Sequence, residues 1–145
     1  MSSPAMTADE LAKALSAEFP QLFKQDGSGF YVIEDVRHGG ARVRRRYHAA
    51  SLRPGGTLSG ATMMELADVS MYVALLASIG WVPLAVTTNL NINFLRKPAQ
   101  RDLVAEARLV KLGKRLAVGD IAIRSIGEDD LVAHATGTYS IPHKG

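Results

Sequence analysis

An α+β domain, with one long apolar helix lying against an antiparallel sheet of about six strands, is the architecture this 145-residue sequence predicts. Three observations carry the prediction. Residues 60–80, GATMMELADVSMYVALLASIG, hold only two side chains charged at neutral pH between positions 61 and 79, Glu65 and Asp68, so a helix there is apolar on nearly every face and belongs in an interior. Two strand-like runs precede this stretch, rich in aromatic and β-branched residues or alternating polar with apolar. Four more follow it, and every connection is short and rich in glycine, proline or polar residues. At this length, with 47% hydrophobic residues, one domain spans 1–145, with residues 1–28 as an N-terminal tail and lid helix.

Thr7 and Glu10 read as a capping box that opens a short amphipathic helix, in which Leu11, Ala12, Leu15 and Phe19 keep helical spacing until Pro20 stops it. FYVIEDV predicts a strand over 30–36, and His38, Gly39 and Gly40 make the turn. In the next strand, 41–48, Ala41, Val43, Arg45 and Tyr47 alternate with Arg42, Arg44, Arg46 and His48. Its basic run suits a solvent face, where charge blocks edge aggregation, better than a phosphate site. SLRPGGTLS, 51–59, is turn chemistry set directly before the long helix. Thr62 with Glu65 reads as a second capping box, Gly80 and Pro83 supply the stop, and the helix of about 19 residues runs roughly 28 Å.

After the helix, 85–94 alternates Val86, Thr88, Leu90, Ile92 and Phe94 with Thr87, Asn89, Asn91 and Asn93, a row of amides and hydroxyls on one face. Strands over 102–112 and 115–125 join at Gly113, and a last strand over 131–141 follows the turn at 127–130. The four are expected in meander order. The helix then keeps apolar faces without cover, which asks for a second copy and an isologous dimer.

Composition narrows the chemistry. The net charge of +3, a pI near 9.4 and eleven arginines against six lysines suit small anionic ligands, and no nucleic-acid motif accompanies the charge. With no cysteine, thiol nucleophiles and thiolate metal sites are excluded, and the four histidines show no ligand spacing, so no metal is expected. The opening MSSPAMTADE has neither a basic nor an apolar leader region, and two acids interrupt the central helix, so the expected location is cytoplasmic, with no membrane. Asp68 in the middle of that helix is the conspicuous group: a carboxylate among Met64, Met71, Tyr72 and Leu75 is either paired or kept for chemistry. Met64, Met71, Tyr72 and Trp81 are the expected lining of an apolar pocket.

From about Arg53 to Ile141 the chain resembles the hotdog fold and, within it, the PaaI-like (phenylacetyl-CoA) acyl-CoA thioesterases. The stretches that carry the resemblance are SGATMMELAD, TTNLNINFLRKP and the closing strand with Thr136, Gly137 and Thr138. In that family a His-Gly-Gly opens the helix, an Asn lies six residues before it and an acid nine residues after the His. Here Asp68 holds the acidic position and Gly60 the first glycine, while Ser59 stands for the His, Ala61 for the second glycine and Arg53 for the Asn. Thr87 matches a position where some relatives carry a Ser that helps hold the attacking water.

The resemblance implies a homodimer, with a homotetramer as the further assembly, hydrolysing an acyl-CoA with no cofactor beyond the coenzyme A of the substrate. It implies Asp68 as general base or nucleophile and the Gly60 N–H, at the positive end of the helix dipole, as oxyanion donor. Eight residues on one helix put these about 12 Å apart, so they must come from different subunits. Ser59 stands at the catalytic His position, and by its residue type reads as a helix cap. Arg53, Ala61, Asn89, Arg96 and Lys97 are the substrate-binding candidates, the cations for the phosphates of coenzyme A. A non-catalytic acyl-CoA-binding or regulatory protein of the same fold is the alternative.

Overall fold

The computed structural model describes residues 3–48, 52–53 and 57–143, with backbone only for Leu52, Arg53 and Thr57. Helix α1 (Ala8–Glu18) leads into strands β1 (Tyr31–Arg37) and β2 (Gly40–Arg45). A two-stranded hairpin, β3 (Leu52–Arg53) with β4 (Thr57–Leu58), occupies part of the stretch read as plain turn, and helix α2 (Gly60–Ile79) starts two residues later. Strands β5 (Val86–Phe94), β6 (Leu103–Leu112), β7 (Leu116–Ser125) and β8 (Leu131–Ser140) complete the chain.

The six long strands form one antiparallel sheet in the order β1-β2-β6-β7-β8-β5. This corrects the expected meander: β6, β7 and β8 follow one another, but β5 pairs with β8 and stands at the far edge. The crossing from β5 to β6 spans three strand spacings, about 14 Å, which residues 95–102 cover easily at about 3.3 Å each. Anchors along the way explain the path. The Leu95 N–H donates to the Val132 carbonyl (2.8 Å), the Ala99 N–H to Ser125 Oγ (3.1 Å), and Asp102 receives the Tyr47 N–H (2.6 Å) and Arg44 Nε (2.7 Å).

Helix α2 lies across the inner face of the sheet. From Ser70 to Ser78 every residue except Tyr72 is buried, and no charged residue falls in that span. Small residues on the strands let the helix come close: a Cβ added to Gly119 would meet Met71 Sδ at 2.5 Å. The first half of the helix is different, since Met64 and Glu65 are exposed and Asp68 is half-buried. The Thr62–Glu65 capping box does not form. Ser59 caps instead, its Oγ accepting from the Thr62 N–H (3.1 Å), while the Glu65 carboxylate takes the hydroxyl of Tyr31 (2.5 Å). A buried phenol with no water to bond outweighs a box on an exposed turn.

In α1 the box expected from Thr7 and Glu10 is complete in both directions, and Leu11 and Leu15 are fully buried against β1 and α2. The basic run is structural: Arg44 pairs with Asp102 and Glu34, Arg46 donates to the Gly27 and Gly29 carbonyls, and Arg45 lies over the Phe30 and Tyr31 rings.

Candidate functional site

Asp68 projects from α2 toward the join of β5 and β8. The hydroxyl of Thr87 donates to its Oδ1 at 2.6 Å and the hydroxyl of Tyr139 to the same Oδ1 at 2.8 Å, while no described residue donates to Oδ2. Thr87 reaches it because of a register irregularity between Thr87 and Asn89. Strict alternation puts Thr87 on the face of Asn89, Asn91 and Asn93. The bulge instead pairs it with Tyr139, which is buried and faces the helix, whereas the asparagines pair with Thr138, Thr136 and His134 on the solvent side. Asn89 is therefore not brought to Asp68.

Around this carboxylate opens a cavity of about 480 Å³. Phe19, Leu22 and Phe23 from the segment after α1, Val69 and Tyr72 from α2, and Val86 from β5 make its apolar walls; Glu65, Asp68, Thr87 and Tyr139 supply the polar groups. Phe19 meets Tyr72 edge-on at 6.5 Å, and Tyr72 stacks on Tyr139 at 5.9 Å. Of the four residues expected to line a pocket, Tyr72 lines this cavity and the other three do not: Met71 is wholly buried core, and Met64 and Trp81 lie elsewhere on the surface. Burial, then the charge of Asp68, pushes the Tyr139 phenol well above its ordinary range; burial, then the bond to Glu65, does the same for Tyr31.

The helix start is a second polar centre. Ser59 Oγ is occupied by the Thr62 N–H and hydroxyl, which makes Ser59 a cap, while the N–H groups of Gly60 and Ala61 have no acceptor among the described residues. Phe94, at the far end of β5, covers this turn: a Cβ on Gly60 would lie 3.0 Å from the tip of its ring. Just beyond, Arg96 pairs with Asp130, and Lys97, exposed beside it, has an interaction of its own. The side chain of Arg53 lies outside the described residues.

Of the residues singled out in the sequence, Asp68 and Thr87 meet beside this cavity and Gly60 opens the helix, whereas Tyr139 and the wall formed by Phe19, Leu22 and Phe23 were not among them. Period-two alternation in β8 would have set Tyr139 inward with Ala133, Ala135 and Gly137; nothing local says that it meets a residue 71 positions away.

A family model described as the thioesterase superfamily matches residues 55–132. A candidate thioesterase of Silicibacter sp. TM1040 is 44% identical and superposes with a TM-score of 0.85 over 97% of this chain and 95% of that one. The phenylacetic acid degradation protein PaaI of Thermus thermophilus is 26% identical, with a TM-score of 0.68 over 77% of this chain and 93% of its own. A candidate esterase of Saccharolobus solfataricus is 29% identical over 138 residues, 95% of this chain and 87% of its length.

Proposed function

This chain belongs to the thioesterase superfamily and has its hotdog fold, and from that premise we propose that it is an acyl-CoA thioesterase, releasing a carboxylic acid and coenzyme A. The observation that carries the reading is the Asp68 carboxylate on the wall of an apolar cavity, held at one oxygen by two hydroxyls and without a donor among the described residues at the other. Thioester hydrolysis needs such an acid and a donor for the developing oxyanion. With Asp68 as base, Oδ2 takes a proton from water and the hydroxyl adds to the thioester carbonyl. The Gly60 and Ala61 N–H groups receive the oxyanion, the C–S bond breaks, and the proton passes to the leaving sulfur. With Asp68 as nucleophile, a carboxylate oxygen adds to the thioester carbonyl, the C–S bond breaks to expel the coenzyme A thiolate and leave a mixed anhydride, and water opens the anhydride, the proton left on Asp68 passing to the thiolate.

Both halves of the site adjoin β5, at opposite ends: Thr87 touches Asp68, and Phe94 covers Gly60. Two β5 strands pairing antiparallel about an axis between Leu90 and Asn91 set Thr87 of one chain opposite the partner's Phe94, and so bring Asp68 to the partner's helix start. The catalytic unit in this reading is a homodimer with two sites. Arg96 and Lys97 follow Phe94, on the Gly60 side, where they can meet the phosphates of coenzyme A.

Free thiol released from a panel of acyl-CoAs tests this, with Asp68→Asn as the control. Wild type turns over at least one substrate, and the variant loses about 10²- to 10⁴-fold in kcat. Tight binding of acyl-CoA without turnover by wild type rejects hydrolysis and leaves the non-catalytic, regulatory reading.

A further inference from the structure

Tyr139 is 4% exposed, and its ring stacks on Tyr72, whose own hydroxyl is tied to the Pro83 carbonyl at 2.9 Å. The ring is thus fixed before its hydroxyl does anything. That hydroxyl sits 2.8 Å from Asp68 Oδ1 and 3.2 Å from the Asp68 carbonyl oxygen, and its single hydrogen goes best to the nearer, charged acceptor. Thr87, paired with Tyr139 across β5 and β8, brings a second hydrogen to the same oxygen. A carboxylate on a helix can otherwise turn about its terminal torsion, which is broad and nearly two-fold. Two donors on one oxygen, from two strands locked in register, remove that freedom and leave the other oxygen toward the cavity.

Resting on the thioesterase reading, we propose that Tyr139 is a positioning residue for the reaction: by holding Asp68 Oδ1 it presents Oδ2 as the one oxygen that meets water or the thioester carbon. Tyr139 lies past the stretch that the family model matches, so this support comes from the chain's own last strand. Burial keeps the phenol protonated, and hence a donor, throughout the working pH range. The other titratable groups facing this corner are Tyr72 and Glu65 on α2, Glu18 at the end of α1, whose charge acts on Tyr72, Tyr31 on β1, bonded to Glu65, and Arg45 on β2, over Tyr31; β5 contributes none.

Tyr139→Phe keeps the ring, the stack and the buried volume and removes only the hydroxyl. In the dimer, on an acyl-CoA that wild type hydrolyses, kcat falls about tenfold with KM within about twofold, because the ground-state cavity is unchanged. Thr87→Val has a similar effect, and the double variant departs from additivity, as two donors on one atom must. Unchanged kcat in a folded Tyr139→Phe dimer overturns the proposal, as does a loss explained wholly by a lower melting temperature. A second readout needs no turnover: at one fixed pH the ¹³C shift of the Asp68 carboxylate differs between Tyr139→Phe and wild type, because a hydrogen bond to Oδ1 is gone, and equal shifts overturn it. Wild type inactive on every acyl-CoA, with the ¹³C shift still changed in Tyr139→Phe, rejects the thioesterase reading alone.

Discussion

Strands β1 and β5 are both edges of the same sheet, and they are finished in different ways. β1 carries Glu34, Asp35 and Arg37 within seven residues, is kinked by a register irregularity between Ile33 and Asp35, and has α1 packed against it. Its acids are already paired, Glu34 with Arg42 and Arg44 and Asp35 with Arg37. Charge, bulge and cover are the usual means of keeping an edge from taking another strand. β5 runs nine residues without a charge, and Val86 and Phe94 at its ends are more than half exposed, at 56% and 51%. Its bulge lies at one end and turns Thr87 inward, leaving Asn89 to Phe94 a regular ladder against β8. An edge of that kind is a template for pairing, and it is the edge that touches both polar centres of the site.

Three experiments break or sharpen this contrast. Asn91→Glu with Asn93→Glu puts charge on the exposed face of β5, near the axis where two copies would meet. Sedimentation is then expected to show monomers, and thiol release to fall to background, because like charges set together across strands repel. The matched change on the other edge, Val32→Glu, is expected to leave both unaltered; if it dissociates the protein and the β5 change does not, the roles of the edges are reversed. A smaller effect comes from mixing two inactive variants. Gly60→Pro removes one N–H at the first helical position, where the proline backbone fits and Ser59, at φ −73° and ψ 152°, already has the extended conformation that precedes it; its Cβ comes to 3.0 Å from the Phe94 ring tip, so the variant is first checked to be dimeric by sedimentation. Combined with Asp68→Asn and allowed to exchange, about half of the dimers are mixed and each holds one intact site of two, so about a quarter of wild-type activity returns. No recovery means that both groups serve one site within one chain.

The smallest effect lies where the chain crosses from β5 to β6. Burial disfavours the charged form of Asp102, but the Tyr47 amide and the Arg44 guanidinium outweigh it and hold the carboxyl below its usual range. A carboxylate with a lowered folded-state pKa adds stability that is complete above the unfolded value of 3.8 and is lost as pH falls through the folded one. Unfolding free energies from urea melts, measured as pH falls below about 4, are expected to drop by more in wild type than in Asp102→Asn, by a difference under about 1 kcal/mol for so open a pair. Equal slopes would show that the pair contributes nothing to the crossing.

The elements were legible where their signals were short-ranged. Thr7 with Glu10, the apolar run of α2 and the strands read over 115–125 and 131–141 each depend on residues a few positions apart, and all formed as read to within a residue or so at their ends. The same local grammar misled at Thr62 and Glu65, because Tyr31, 34 residues away, offered Glu65 a better partner. It misled again in β5, where one extra residue reversed the face of Thr87.

From its sequence alone the chain determined a long apolar helix with one unexplained acid, strands enough to cover it, and a glycine at the helix start, since burial preference, periodicity and capping are properties of neighbouring residues. Which edge stayed open, which face Thr87 took and which hydroxyls hold Asp68 were decided only by tertiary structure. Hydrogen bonds select partners by distance and direction in space, and the register of β5 on β8, not the spacing of residues along the chain, set Thr87 and Tyr139 on one carboxylate oxygen.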